Sequence, residues 1–280
     1  MRILIANDDG IYSPGLAALA EVASRFGEVR IVAPDVEQSS MGHAITHSRP
    51  LAFRRTPLLR KFDAHRVNGT PADCVALGAF LWKDVDVVLS GINLGPNIGN
   101  GIWHSGTLAA AKQAALLGLR GIALSTPTGK GEPDFAKLDP WVERVLELLL
   151  PETSLRLVNV NFPPNPTGMC WTRVSVRHYD GRVAPMADPY GREVYWLAVR
   201  PIEETERGTD RWALQRDHVS ITPLQLDLTD HEALASAGKR VPLDEPVAAE
   251  QRSTPAMAGD GAVSESEAED EVAESEASAG

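Results

Sequence analysis

Cysteine is nearly absent from this chain of 280 residues, which carries only Cys74 and Cys170. Two thiols cannot build a disulfide framework, and this pair lacks metal-ligand spacing. Cys74 falls in a helix-forming stretch and reads as a small buried apolar residue. Long apolar runs are missing too. Asp8 interrupts the N-terminal aliphatic stretch where a signal peptide would continue, so neither a secretory leader nor a membrane span is expected, and a reducing cytoplasm is the simplest compartment. No basic tract marks a partner for duplex nucleic acid. The formal charge of −11 looks strongly acidic, but Asp244 to Gly280 hold eleven acids and one base. The remainder, with 27 acids and 26 bases, carries −1. The acidity therefore belongs to the tail and says little about a substrate. From Glu245 onward Ala, Ser, Glu and Gly dominate, and residues 245–280 are expected to be a disordered tail that adds solubility.

Several familiar fingerprints are also missing. The glycines do not follow Gly-x-Gly-x-x-Gly, so the dinucleotide loop is absent and a Rossmann-like transferase is disfavoured. Gly129-Lys130-Gly131 lacks the upstream glycine and the downstream hydroxyl of a P-loop. There is no Gly-x-Ser-x-Gly elbow, which weakens an esterase reading.

What is present is an alternation of aliphatic runs and amphipathic stretches. Met1 to Ala6 reads as an inner strand covered on both faces. Ser13 and Pro14 open a helix whose apolar face is Leu16, Leu19, Val22, Ala23 and Phe26. Glu28–Pro34 is a second strand. Thr70-Pro71-Ala72-Asp73 is a capping box that starts a helix through about Trp82. Val85–Leu89 is a strand, Thr107–Leu117 a helix ended by Gly118, and Gly121–Ser125 a strand. The expected fold is therefore α/β, a three-layer, Rossmann-like and mostly parallel sheet. The second half is less regular. Leu155–Phe162, a hairpin within Val174–Val199 and a short strand at His218–Pro223 read as an antiparallel C-terminal extension, with about 174–243 as an arm used in oligomerisation. The folded domain is expected to span 1–244.

In a parallel sheet the strand ends following Ala6, Pro34 and Leu89 share one edge, where open α/β sheets bind ligands. Asp8 and Asp9 follow the first strand, Ser39 and Ser40 the second, and Asn93 the third. Asp-Asp-Gly could be a simple turn. Two adjacent carboxylates are also costly to hold together without a cation, and an oxygen-only set of two Asp, Ser and Asn suits Mg²⁺, Mn²⁺ or Ca²⁺ better than zinc. Gly91, Gly95, Gly99 and Gly101 make the next loop adaptable. It leads into Ser105-Gly106-Thr107 at a helix start, where free N–H groups and two hydroxyls could cradle phosphate, or simply join strand to helix. His43 and His104 lie in these loops as acid, phosphate partner or anchor. Trp103 could stack on an aromatic substrate or be buried.

These stretches together resemble the SurE (survival protein E) family of nucleotidases and acid phosphatases. The resemblance rests on MRILIANDDGIYSPGL, VAPDVEQSSMGHAIT, NGTPADCVALG, VLSGINLGPNIGNGIWHSGTLAAA, NVNFP and HVSITPL, in order across most of residues 1–224. It implies a metal-dependent phosphohydrolase acting on nucleoside 5′- and 3′-monophosphates, with activity on short polyphosphate in some members. One divalent cation per subunit, Mg²⁺ or Mn²⁺, would be held by Asp8, Asp9, Ser39 and Asn93. Asp8 or Asp9 would handle the attacking water. Asn97, Ser105, Gly106, Thr107 and His43 would face the phosphate or substrate, and the subunit would assemble as a homodimer or homotetramer. The chain departs from many relatives in NIGNGIWHSGT, where an acidic or small residue is usual before SGT. The rival reading is a metal- and nucleotide-binding stress-response module without turnover.

Overall fold

The computed structural model describes residues 1–57, 61–128, 131–175, 181–199 and 205–240. The acidic tail expected at 245–280 lies outside the described residues. Met1–Leu228 form one compact unit, and a second begins at Thr229 and holds helix His231–Arg240.

The first strand, β1 (Arg2–Ala6), is fully buried from Ile3 onward on both faces, as its unbroken aliphatic run requires. It pairs in parallel with β2 (Glu28–Pro34) on one side and with β5 (Val87–Leu94) on the other. Outside β2 lie β4 (Asp63–Val67), parallel to it, and the short antiparallel edge β3 (Phe53–Arg55). Beyond β5 come β6 (Arg120–Thr126) and β7 (Leu157–Asn161), both parallel. The sheet continues through β11 (His218–Pro223), antiparallel to β7, and ends at β8 (Gly168–Trp171). The order is β3-β4-β2-β1-β5-β6-β7-β11-β8. Six parallel strands thus carry the expected α/β architecture, with antiparallel strands added at both sides.

Helices α1 (Pro14–Ala23) and α4 (Phe135–Leu149) pack together, as do α2 (Pro71–Leu81) and α3 (Gly106–Leu116). Leu16, Leu19 and Val142 join Ile3, Ile5 and Leu89 in one apolar cluster, while Cys74, Val75 and Ala110 join Leu4 and Val88 in another. Alternate residues of β1 and β5 therefore feed two cores, one per face. Each wholly buried Leu or Ile contributes about 1.5–3 kcal/mol. The capping box forms as expected: the Thr70 hydroxyl accepts from the Asp73 amide at 3.1 Å, and the Asp73 carboxylate accepts from the Thr70 amide at 2.9 Å. At α1 the expectation is only half met, because Ser13 occupies the N-cap but its hydroxyl makes no capping bond, and Phe26 lies past the helix end. The strand expected at Val85–Leu89 starts two residues later and runs to Leu94, with a register shift between Ser90 and Asn93 against β6. Asn93 thus sits on the strand, not after it.

The C-terminal strands divide between two sheets. A hairpin of β9 (Gly181–Ala187) and β10 (Glu193–Val199) forms its own two-stranded sheet. In contrast, β11 is interior to the main sheet, and its Val219 and Ile221 join the core. No described helix is long and apolar enough to cross a membrane.

Candidate active site

The carboxyl ends of β1, β2 and β5 open on one edge, and there the structure sets Asp8 against the start of α3 and Asp9 against the end of β5. Asp8 is 4 % exposed. Its Oδ1 accepts from the Thr107 hydroxyl at 2.7 Å. Gly106 is required by proximity: a Cβ there would stand 2.7 Å from the Asp8 Cβ and 2.9 Å from Oδ2. The Asp8 carboxylate therefore lies against the positive end of α3. Burial pushes its carboxyl up, opposed by the Thr107 hydroxyl and by the Thr107 and Gly106 amides. Asp9 is less buried, and its Oδ2 accepts from the Leu94 amide at 3.1 Å. Burial raises its carboxyl from 3.8 to about 6, and the charges of Asp8 and Glu37 add to the rise against the Leu94 amide.

The loop after β2 is draped over this pair. The Gln38 amide donates to the Asp8 carbonyl at 2.7 Å, and the Gly42 amide donates to the His104 carbonyl at 3.0 Å. Ser39 between them is exposed and donates to Glu37 Oε1 at 2.6 Å. Asn93 gives one side-chain N–H to the Gly95 carbonyl at 2.6 Å, and its amide oxygen is the side chain's acceptor. His43 is exposed and reaches across to Gln113 on α3, 2.9 Å away. Trp103 is also exposed, with the Lys112 ammonium 5.7 Å from its ring centre, so it is not a core residue.

The phosphate-side residues are more committed than their sequence suggests. Asn97 is 8 % exposed and knotted on every side. Its side-chain nitrogen donates to Thr107 at 3.1 Å and to Ser125 at 2.9 Å. Its backbone amide donates to Asn161 Oδ1 at 2.8 Å, and its carbonyl accepts from Asn159 and Asn161 at 2.7 and 3.0 Å. A continuous chain of hydrogen bonds thus runs from β7 through Asn97 and Thr107 to Asp8. The Ser105 hydroxyl caps α3 by accepting from the Leu108 amide at 3.0 Å. Thr107 and Ser105 therefore serve the architecture of the site directly, Thr107 by fixing Asp8 and Ser105 by fixing the helix.

Sequence reading missed Ser125, Asn159, Asn161 and Asp210. The signal for the asparagines was present: two side chains at i and i+2 share one face of a strand in which every residue is buried. Buried amides are retained only with partners, so they pointed to a polar knot.

The side chains expected to hold a cation, those of Asp8, Asp9, Asn93 and Ser39, would offer it only oxygen. That set suits a hard divalent ion. An Asp9 carboxyl held near 6 beside a second buried carboxylate is charge that a cation would compensate. Among the described residues no three His, Cys, Asp or Glu side chains cluster as a metal site. Neutral oxygens must therefore complete any coordination here.

A parallel α/β sheet with acids at its carboxyl edge, facing a glycine-rich loop and a helix start, is the ground plan of a phosphate-handling protein. The family model described as survival protein SurE matches residues 3–181, and the chain belongs to the SurE family. It is 47 % identical over 238 residues to 5′-nucleotidase SurE 1 of Thermus thermophilus, covering 82 % of this chain and 94 % of that protein. It is 41 % identical over 251 residues to 5′-nucleotidase SurE of Deinococcus radiodurans, covering 86 % and 93 %. The crystal structure of the SurE protein from Aquifex aeolicus superposes with a TM-score of 0.75 at 37 % identity, over 86 % of this chain and 99 % of that one.

Proposed function

We propose that this chain is a 5′-nucleotidase that removes phosphate from nucleoside 5′-monophosphates, with 3′-monophosphates and short polyphosphate as further substrates. The observation that carries the reading is the Asp8–Asp9 pair, held on the carboxyl edge between Asn93 and the start of α3. Similarity to proteins named 5′-nucleotidase supports the substrate class.

Asp8, Asp9, Asn93 and Ser39 would hold one divalent cation per subunit, Mg²⁺ or Mn²⁺, which when bound supplies Lewis-acid polarisation of the phosphoryl group and an acidified water. Thr107 and Asn97 fix the Asp8 carboxylate in one orientation, so no reorganisation is needed during reaction. Asp9, the more accessible acid, would orient the attacking water and take its proton. With Asn97, the Ser105–Thr107 start of α3 would stabilise the charge that develops on the equatorial oxygens. His43 and Trp103, exposed at the rim, would meet the nucleoside. The working form is a cytoplasmic homodimer or homotetramer.

The test is release of inorganic phosphate from AMP and GMP with Mn²⁺ or Mg²⁺, with and without EDTA. Release that EDTA abolishes and Asp9→Asn loses is expected. No release above the Asp9→Asn background would leave a metal- and nucleotide-binding module instead.

A further inference from the structure

Asp210 lies in the last stretch of the main unit, far in sequence from every site residue, and is wholly buried. It opens the short helix α5 (Asp210–Leu214), directly after the Thr209 cap. Its two oxygens are spent on backbone amides. Oδ2 accepts from Gly99 at 2.8 Å, and Oδ1 accepts from Arg211 at 2.7 Å and from Ser175 at 3.1 Å. Gly99 begins the 3-10 turn Gly99–Trp103, which hands the glycine-rich loop on to α3. Its φ of +54 is left-handed, and a Cβ there would come within 3.0 Å of the Ser175 carbonyl and of Arg211 Nε. The turn is thus seated against this corner with no room for a side chain.

A buried carboxylate costs more than a buried amide or hydroxyl unless its acceptors are filled. Helix capping does not require one here, because the Thr209 hydroxyl already accepts from the Trp212 amide. What Asp210 uniquely does is hold a loop amide 111 residues away. With Asn97 tied to β7, the loop is fixed on both sides of Ile98.

We infer that Asp210 is a positioning residue for the phosphohydrolase reaction, tethering the Gly99 turn so that the start of α3 that follows it, Ser105–Thr107, meets the phosphoryl group in register. This rests on the function proposed above. An Asn at 210 keeps the shape but offers one acceptor oxygen where two are used, and it turns an N–H₂ toward backbone donors.

The test compares Asp210→Asn with Thr209→Ala, which weakens the same helix without touching the Gly99 bond. Steady-state hydrolysis of AMP is measured well below each melting temperature, with amide hydrogen exchange of segment 96–106 alongside. Asp210→Asn should lower kcat/KM roughly ten- to a hundredfold and speed exchange at Gly99. Thr209→Ala should lower the melting temperature by about 2–4 °C while keeping kcat/KM within about twofold and leaving loop exchange unchanged. Equal losses of kcat/KM in the two variants, or unchanged exchange in Asp210→Asn, would overturn the tether. Absence of turnover in the unmodified protein counts against the proposed function, and the exchange measurement then decides the tether by itself.

Discussion

The carboxyl edge of the sheet and the β9–β10 hairpin break the hydrophobic-inside rule in opposite directions. At the edge, Asn7, Asp8, Asn97, Thr107, Asn159 and Asn161 are buried polar groups where aliphatic side chains would pack more cheaply. On the hairpin, Val183, Met186, Tyr195, Trp196 and Leu197 stand exposed, each at more than half its full area. Buried polarity at the edge is met mostly by hydrogen bonds within the subunit, while Asn7 Oδ1 and Asn159 Oδ1 are buried with no such bond. Exposed apolar area on the hairpin has no such internal compensation, and a patch of that kind marks an interaction surface. The first region is tied together by bonds within one chain, whereas the second is the surface that the proposed homo-oligomer would cover.

The largest effect that would break this contrast lies at Asp9. Asp9→Asn should reduce phosphate release by about 10³-fold or more, measured as initial rates with saturating Mn²⁺. The same change should stabilise the metal-free protein by on the order of 1–3 kcal/mol, because it removes a charge that burial opposes. A destabilised Asp9→Asn variant would mean that the edge is packed for stability and not for a ligand. Next comes Thr107→Val, which strips a donor from Asp8 and an acceptor from Asn97. It should cost about 1–3 kcal/mol by chemical denaturation and about ten- to a hundredfold in activity, with Thr107→Ser restoring most of both.

A smaller effect follows from the raised Asp9 carboxyl. The folded chain holds that proton more tightly than the unfolded chain does, so its contribution to stability is fully present below 3.8 and is lost as the pH rises through about 6. Melting curves in EDTA should show this decline, and Asp9→Asn should flatten it. Smallest at the site should be the paired change Trp196→Ser with Leu197→Ser on the hairpin. It should leave kcat within about twofold and lower the sedimentation coefficient by disrupting assembly. An unchanged oligomer would show that the exposed apolar face serves something other than self-association.

The parallel architecture was legible because it is written in local periodicity and capping. Glu28–Pro34 is a strand with the bounds its aliphatic alternation predicts, and the Thr70 box closes as its spacing requires. The convergence of the acids and Asn93 on one edge followed from strand direction alone. Less legible were β3 and β4, since FRR and DAHRV carry too few apolar residues to announce strands. The interior place of β11 was hidden for another reason: pairing with β7 is decided by partners some sixty residues apart, and no local pattern encodes it. The same holds for Asp210. Its neighbourhood reads as an ordinary helix start, and only the fold reveals that its carboxylate serves a distant turn.

The knot at Asn97 also carries a consequence for the order in which the protein becomes competent during synthesis. The two aspartates leave the ribosome about 200 residues ahead of Asp210, yet the loop between them is pinned by Asn159, Asn161 and then Asp210. A nascent chain therefore carries its acids long before it carries a working site, and every truncated product ending before α5 is left with a slack loop. If Asp210 is the tether inferred above, the loop is fixed only when the last tenth of the main unit, from α5 to Leu228, has been made.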